Sequence, residues 1–307
     1  MRIAVLGATG HIGKNIVEGL LQGHDLFLYA RNVTSLQEFL KNKKSENIVS
    51  VASLATFKEA STEFDGIVNC VGFGAPEFWE SYPSLVCRLT EEYDNQCMDY
   101  LSSNRHCVYV FVSSGAVYGE DLKHPINQES IAGVSVNKMT AGDAYRIAKL
   151  NAEVKHRVRD ADSIFDLRLF GFFSRLIDTS SKYLLAQVIL CVRRHTTLVT
   201  NADDFVRDYV HPKDLSGLVD LCFHQRGLNG CLDAYSKSPI KKTEILEFFQ
   251  REYGLQINYV GNPETSLTGK KPHYYSDYRK AGDLLGYVPK YSSLDTLRME
   301  SEYLLSL

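Results

Sequence analysis

A tyrosine and a lysine four positions apart, Tyr145 and Lys149, are the residue pair of this 307-residue chain best suited to moving a proton. They stand in an unbroken run of good helix formers from Asp143 to Glu153, so both side chains should project from one helix face. A free phenol titrates near about pH 10, and a neighbouring ammonium stabilises the phenolate. The pair is therefore predicted to exchange a proton with a carbonyl or alcohol oxygen, the alternative being an incidental tyrosine on a solvated helix.

The same spacing occurs a second time, at Tyr209 and Lys213. Pro212 lies between these two residues, and a proline biases the residue before it away from helical backbone. The two side chains are then not expected on one helix face. We therefore predict that Tyr145 and Lys149 are the reactive pair.

The elements that must position this pair begin at the N-terminus. A short apolar run, Ile3 to Leu6, is followed by Gly7, Gly10 and Gly13, and apolar residues then recur at helical spacing up to Leu21. Strand, glycine turn and helix in this order let the backbone approach a pyrophosphate at the free amides of the helix N-terminus. A dinucleotide-binding loop is predicted, a merely structural turn being the alternative. The ligands expected in the loop are Gly7, Thr9, Gly10, His11, Ile12 and Gly13.

The second predicted strand, Asp25 to Ala30, ends where a carboxylate would bind the adenosine ribose hydroxyls of NAD. Arg31 and Asn32 stand there instead. A guanidinium at this place can pair with a 2′-phosphate and stack on adenine. We therefore expect NADP(H) rather than NAD, with Arg31 and Asn32 among its ligands, the alternative being a solvated arginine.

Strand-like and helix-like segments continue to alternate along the chain. The strand candidates are Asn47 to Val51, Asp65 to Val71 and His106 to Ser114. This alternation predicts an α/β fold with a doubly wound parallel (Rossmann) sheet. The last of these strands ends in Ser113 and Ser114, at the sheet edge where such folds bind ligands, although a serine at a strand end is commonly a cap.

Composition narrows the classes of function. Hydrophobic residues make up 44% of the chain, enough for a full core, and the formal charge of −3 with no basic run longer than two residues argues against nucleic acid as a partner. No run of about eighteen apolar residues occurs, so no membrane association is expected. The seven scattered cysteines favour reduced thiols in a cytoplasmic protein.

Several segments resemble, in order and spacing, those of the extended short-chain dehydrogenase/reductases that act on nucleotide sugars, the NAD-dependent epimerase/dehydratase family. The segments are Gly7 to Gly13, Ser113 to Gly119, Tyr145 to Lys149 and Arg207 to His211. The late segment from Tyr278 to Pro289 is similar to the closing turn of the family. The resemblance thus covers nearly the whole chain.

The resemblance implies roles for the candidate residues. Tyr145 would donate or accept the proton, Lys149 would tune the pKa of that tyrosine and bind the cofactor ribose, and Ser114 would hydrogen-bond the reacting carbonyl. Asn95, on a long helix expected from Ser84 to Ser103, would be a further cofactor ligand.

Two basic residues are implied as substrate ligands. Arg207 would contact the diphosphate of a nucleotide sugar, and Lys271 would do likewise; surface ion pairing is the alternative for each. The long helix carrying Asn95 and the helix carrying Tyr145 resemble the pair through which the family dimerises, so a homodimer is expected.

The chain departs from the family pattern at several positions. After the sixth strand the family usually has Arg-x-x-Asn-x-Tyr-Gly, whereas Gly171 takes the place of the asparagine that often contacts the nucleotide. Ser53 is the nearest polar candidate where a carboxylate commonly meets adenine. Gly115 and Ala116 stand where sugar 4,6-dehydratases have Asp-Glu, which makes dehydration the least expected reaction.

Two parts of the chain are expected to cooperate. Residues 1–172 and 205–232 should form the dinucleotide-binding domain, and residues 173–204 and 233–307 a smaller α/β lobe over a nucleotide-sugar substrate. The expected reaction is the NADPH-dependent reduction of a nucleotide-linked 4-keto-6-deoxyhexose. One alternative is a nucleotide-sugar 4-epimerase that retains its dinucleotide. Another is a non-catalytic NADP-binding regulator, which would have no reason to keep the Ser/Tyr/Lys set.

Overall fold

A parallel β-sheet lies at the centre of the molecule, which is described here from a computed structural model. The described residues are 1–43, 45–73, 76–119, 122–159, 162–261 and 271–306. The strands are β1 (Arg2–Leu6), β2 (Asp25–Ala30), β3 (Ile48–Ser53), β4 (Gly66–Asn69), β5 (Val108–Ser114), β6 (Ser163–Leu169), β7 (Gly171–Phe172), β8 (Leu198–Thr200), β9 (Val206–Arg207), β10 (Tyr209–Val210), β11 (Asn229–Ala234), β12 (Ile240–Lys241), β13 (Ile257–Tyr259) and β14 (His273–Tyr274). The helices are α1 (His11–Leu20), α2 (Val33–Leu40), α3 (Pro76–Ser81), α4 (Pro83–Ser103), α5 (Ala144–Arg157), α6 (Leu184–Arg194), α7 (Pro212–Phe223), α8 (Lys242–Tyr253), α9 (Lys280–Leu285) and α10 (Ser293–Leu305).

The central sheet has seven strands in the order β3-β2-β1-β4-β5-β6-β11, and every neighbouring pair is parallel. The order reverses between β1 and β4, with Leu6 of β1 opposite both Tyr29 and Asn69. The carboxyl ends of β1, β4 and β5 therefore meet at the topological switch point where such sheets bind ligands. The predicted doubly wound α/β fold is confirmed.

Helices cover both faces of this sheet because its strands are apolar on both sides. On one face α1 and α7 contribute Ile16 and Leu218 to the core; on the other, α4 and α5 contribute Leu101 and Ala152. Full burial of Ile16, Leu218 and Leu101 contributes about 1.5–3 kcal/mol each. Two hydrophobic cores, one on each face, thus hold the sheet between its helices.

A third core belongs to the lobe that follows the sheet. It contains Phe173, Ile189 of α6, Phe249 of α8 and Leu297 of α10. The short strands of this region pair in small sheets of their own, including β12-β9-β14. The segment from Ala281 to Tyr287 packs instead with the α1 and α7 core, so the predicted division of the chain stays a prediction at that point.

A buried charge cluster joins α4, α5 and β6. The His156 ring is hydrogen-bonded to Asp166 at 2.6 Å and to Asp94 at 2.7 Å, and all three side chains are fully buried. Burial alone would lower the pKa of His156, but its hydrogen bonds and charge attraction to the two carboxylates outweigh burial and raise the pKa to about 9. Tyr109 and Lys155 add further bonds to Asp94. A histidinium therefore bridges the helix pair to the sheet.

Within the described part of the chain, no helix is both long and apolar enough to cross a bilayer, and no group of side chains could hold a metal ion. The seven cysteines are free thiols, with Cys97, Cys107 and Cys222 buried. The expectation of unpaired core thiols is thus met at three positions.

We predict that His156→Gln destabilises the fold by about 3–5 kcal/mol near pH 6, because it removes the buried cation that Asp94 and Asp166 share. The folded-state pKa lies above the ordinary value of 6.5, so this stabilisation is complete below about pH 6.5 and is lost as the pH rises through about 9. Urea unfolding of both proteins across this range should give a free-energy difference that shrinks with pH. His224→Gln, at an exposed histidine, is the matched control. A difference that is constant with pH would contradict the prediction.

Candidate active site

The glycine loop between β1 and α1 has a conformation that only small residues allow. Gly7 has φ +76°, and the N–H groups of Gly7 and Ala8 both donate to the Tyr29 carbonyl of β2, at 2.9 and 3.1 Å. A Cβ on Gly13 would lie 2.2 Å from the Gly7 carbonyl oxygen. Gly10 precedes α1 and offers no capping side chain. The loop therefore forms a cradle that exposes helix N-terminal amides and fits a dinucleotide pyrophosphate.

His11, at the first position of α1, ties this loop to the lobe. Its Nε2 lies 2.7 Å from the Ser174 hydroxyl, which also accepts a hydrogen bond from Asn15 at 3.0 Å. Burial, together with the charge of Lys14, lowers the pKa of His11 to about 4. At neutral pH a neutral imidazole therefore lies beside the cradle, and Lys14 is the nearby cation.

The other predicted cofactor ligands in this region take different positions. Thr9 is half-buried in the loop, and Ile12 packs partly against the core. Arg31 is exposed directly after β2. The Asn32 side chain accepts from the Ser35 N–H at 2.9 Å and so caps α2. Arg31 keeps an exposed guanidinium, whereas the Asn32 amide oxygen already accepts a hydrogen bond.

Ser114, Tyr145 and Lys149 come together at the carboxyl end of β5. The Ser114 hydroxyl is hydrogen-bonded to Tyr145. The Lys149 Nζ lies 5.9 Å from the centre of the Tyr145 ring, and it donates to the Val112 carbonyl at 2.7 Å. It also lies 4.3 Å from the centre of the Phe111 ring. The three predicted catalytic side chains thus form one cluster.

The electrostatics of this pair differ from the expectation drawn from spacing. Burial lowers the pKa of Lys149 to about 8, although the charge of Cys70 acts in the other direction. Burial also raises the pKa of Tyr145, and the hydrogen bond from Ser114 offsets only part of that rise. The pKa of Tyr145 is thus raised in this arrangement rather than lowered as the spacing predicts, because burial dominates and the Lys149 ammonium donates to the Val112 carbonyl.

Tyr274 connects this cluster to the predicted substrate ligands. Its hydroxyl lies 3.3 Å from the Ser114 hydroxyl, and the pairing of β14 with β9 sets it opposite Arg207. Arg207 donates to the Lys271 carbonyl at 2.8 Å, and the Lys271 Nζ lies 5.2 Å from the Tyr274 ring centre. Arg207 and Lys271 are therefore brought to the site. Sequence reasoning missed Tyr274, whose one signal is its position three residues after Lys271.

Asn95 is not among the residues that the described structure brings to this cluster. It is exposed on α4, and its amide oxygen accepts from Lys155 at 2.6 Å. The helical repeat turns Thr90, Asp94 and Cys97 inward instead. The predicted role of Asn95 as a cofactor ligand is not supported by this placement.

Trp79 is a second residue that the sequence did not single out. It lies on α3 with its ring stacked on Tyr145, the centroids 4.3 Å apart and the planes within 7°. No motif marks it, because the contact joins residues 66 positions apart.

The departures from the family pattern have steric causes. A Cβ on Gly115 would lie 2.3 Å from the Phe170 ring, and one on Gly171 would lie 2.5 Å from the Asp208 carbonyl oxygen. Neither position can hold a larger side chain without moving its neighbour. An acidic residue at position 115 or an asparagine at position 171 would therefore require Phe170 or the Asp208 backbone to shift.

A Rossmann sheet whose glycine cradle faces a Ser/Tyr/Lys cluster defines a nicotinamide-dependent enzyme of the extended short-chain dehydrogenase/reductase type. A sequence profile, that of the NAD dependent epimerase/dehydratase family, matches residues 3–229. The chain belongs to this family. A search of curated protein sequences finds no match.

Solved structures share the fold at low identity. UDP-N-acetylglucosamine 4-epimerase of Methanobrevibacter ruminantium, in complex with UDP-N-acetylmuramic acid, is 18% identical, with a TM-score of 0.84 over 99% of this chain and 98% of that chain. UDP-glucuronic acid 4-epimerase of Bacillus cereus, with UDP-glucuronic acid and NAD, is 17% identical, with a TM-score of 0.82 over 100% and 99%. dTDP-glucose 4,6-dehydratase of Bacillus anthracis, with NAD, is 17% identical, with a TM-score of 0.77 over 99% and 96%.

We predict that Gly13→Ala weakens dinucleotide binding at least tenfold, because the new methyl group would displace the Gly7 carbonyl and deform the cradle. Gly23→Ala is the matched control, since nothing lies within 4 Å of a Cβ there. Titration calorimetry with NAD and NADP measures both. Unchanged affinity in the Gly13 variant would contradict the assignment of the cradle.

Proposed function

We propose that this enzyme is a nucleotide-sugar 4-epimerase, which oxidises the C4 alcohol of its sugar and reduces the ketone again from the other face. The observation that carries the proposal is the convergence of Ser114, Tyr145 and Lys149 with the basic pair Arg207 and Lys271. The similarity in fold to two 4-epimerases of UDP-sugars supports this reaction over the net reduction expected from the sequence.

Different residues of the chain would bind different parts of a dinucleotide. The cradle at Gly7 and Gly13 leaves room for a pyrophosphate at the N-terminus of α1. When bound, the nicotinamide supplies the hydride acceptor and donor. Lys149, whose pKa of about 8 keeps most of its charge at neutral pH, would hold the ribose and stabilise negative charge on the phenol.

Proton transfer falls to Tyr145. In the oxidation step Tyr145, as the phenolate, would take the proton of the C4 hydroxyl as hydride leaves C4, and in the reduction step it would return that proton to the same oxygen, so no proton is consumed. Ser114 donates a hydrogen bond to that oxygen when it is a carbonyl. Partial burial of the cluster limits competing exchange with water.

Arg207 and Lys271 would hold the diphosphate of the nucleotide carrier. Arg207 lies in β9, its guanidinium carbon 5.7 Å from the centre of the Tyr274 ring. Because Tyr274 contacts Ser114, a diphosphate bound by these cations would lead its sugar toward the catalytic hydroxyls. Dehydration is the least supported reaction, since Gly115 and Ala116 carry no acid or base.

One observation favours a second candidate, the NADPH-dependent reduction of a nucleotide-linked 4-keto-6-deoxyhexose. The exposed Arg31 replaces the carboxylate that would select NAD. A reductase must release its oxidised cofactor after each turnover, whereas an epimerase retains it. The homodimer through α4 and α5 stays a prediction; Val154 of α5 and Val158, directly after the helix, are exposed side chains that such an interface would cover.

The reaction is tested by incubating the enzyme with UDP-linked hexoses and, separately, with a nucleotide-linked 4-keto-6-deoxyhexose and NADPH. We expect interconversion of two saturated sugars by chromatography, with no net change at the nicotinamide absorbance band. Tyr145→Phe should lower turnover by about two orders of magnitude or more while dinucleotide still binds. Tyr259→Phe, at an exposed tyrosine of β13, is the control. Stoichiometric NADPH consumption with the keto sugar and no interconversion would identify the reductase instead.

Cofactor choice is tested at Arg31. We predict that NADP binds several-fold more tightly than NAD, because the guanidinium pairs with the 2′-phosphate, and that Arg31→Asp reverses the order. Titration calorimetry of both variants with both dinucleotides measures the ratio. Arg105 is an exposed arginine just before the amino end of β5, and Arg105→Asp should leave the ratio of the two affinities unchanged. Equal affinities in the unmodified enzyme would show that Arg31 does not select the cofactor.

A further inference from the structure

Trp79, the single tryptophan of the chain, covers one face of the Tyr145 ring. The two rings are nearly parallel, with planes 7° apart and centroids separated by 4.3 Å. We propose that Trp79 is the positioning residue for Tyr145, holding the phenol so that its hydroxyl stays at Ser114 and at the reacting sugar oxygen. The inference rests on the proposed function, in which Tyr145 exchanges the proton.

The indole is itself held in place. Its N–H donates to the Phe73 carbonyl at 2.8 Å, a bond that runs from α3 back to the segment following β4. In the same segment Gly72 lies close to Lys149. A Cβ atom added at Gly72 would be 3.5 Å from the Lys149 Nζ. The chain after β4 therefore reaches both members of the reactive pair.

The Tyr145 ring needs a neighbour that restricts its rotation, because the hydroxyl lies far from the Cα–Cβ bond and moves a long way when the side chain rotates. Rotation about the Cα–Cβ bond to another staggered rotamer would carry the oxygen away from Ser114. The Ser114 hydrogen bond restrains only the tip of the side chain. The indole of Trp79, packed against the ring face, blocks this rotamer change. The restriction matters because misplacement of a reacting group by about 1 Å can lower the rate about a hundredfold.

Trp79 differs from the other aromatic residues of its surroundings. Phe78 and Tyr82 are 44% and 54% exposed, and their rings contact each other rather than the catalytic cluster. Only Trp79, among the described aromatic residues of α3, is turned onto the catalytic tyrosine. Phe78 therefore provides a matched control on the same helix.

The kinetic test compares Trp79→Leu, Trp79→Phe and Phe78→Leu in the sugar interconversion. We expect Trp79→Leu to lower kcat about fivefold or more with KM for the sugar nearly unchanged, because positioning acts on the chemical step. Trp79→Phe, which restores a flat ring, should recover most of kcat, and Phe78→Leu should match the unmodified enzyme. Unchanged kcat in Trp79→Leu, or an equal loss in Phe78→Leu, would overturn the inference.

A second test needs no substrate. Since Trp79 is the single tryptophan, selectively excited indole emission reports on the surroundings of this residue alone. Tyr145→Leu should expose the indole to water and shift the emission to longer wavelength, whereas Tyr145→Phe should leave the emission in place. An unshifted spectrum in Tyr145→Leu would overturn the inference. Failure of the unmodified enzyme to convert any nucleotide sugar would contradict only the proposed function.

Discussion

Helix α5 is attached to the sheet by charged groups rather than by apolar packing alone, and the reactive pair depends on that attachment. Along one face of the helix, Lys149 donates to a β5 carbonyl at 2.7 Å, Glu153 accepts from a β5 hydroxyl at 2.6 Å, and His156 bonds a β6 carboxylate at 2.6 Å. Their spacing of four and three residues places all three over the strands. Because each charge is buried, loss of its partner would be costly, so the helix has one register.

This attachment sets the position of Tyr145 one turn before Lys149. A helix held by apolar contacts could shift or rotate slightly at small cost, whereas hydrogen bonds to buried charges weaken steeply with distance and angle. The phenol is thereby aimed at Ser114, the last residue of β5, to which the same helix is bonded. Sheet edge, helix and lobe meet there, because Tyr274 approaches the same serine from β14.

Features with a local physical cause could be predicted from the sequence. The helix expected from Ser84 to Ser103 is observed as Pro83–Ser103. The Ser/Tyr/Lys cluster was also accessible, since it needs only a strand end and one helix face. Contacts between distant segments could not be predicted: Trp79 meets Tyr145, and Tyr274 meets Ser114, through tertiary packing that no periodicity encodes. Asn95 does lie on the predicted long helix, but that prediction did not specify which face of α4 turns inward, and the residue is exposed.

Burial explains why spacing alone gave the wrong acidity for the pair. A lysine one turn away was expected to draw the phenol toward ionisation, but the same burial that brings them together disfavours charge on both. The pKa of Tyr145 rises and that of Lys149 falls to about 8, so at neutral pH the tyrosine holds its proton and the lysine keeps most of its charge. The resting site is thus arranged as an acid. To act as a base on a C4 hydroxyl, Tyr145 must lose its proton while Lys149 remains charged, which makes the Lys149 ammonium the condition for the oxidative half of an epimerisation.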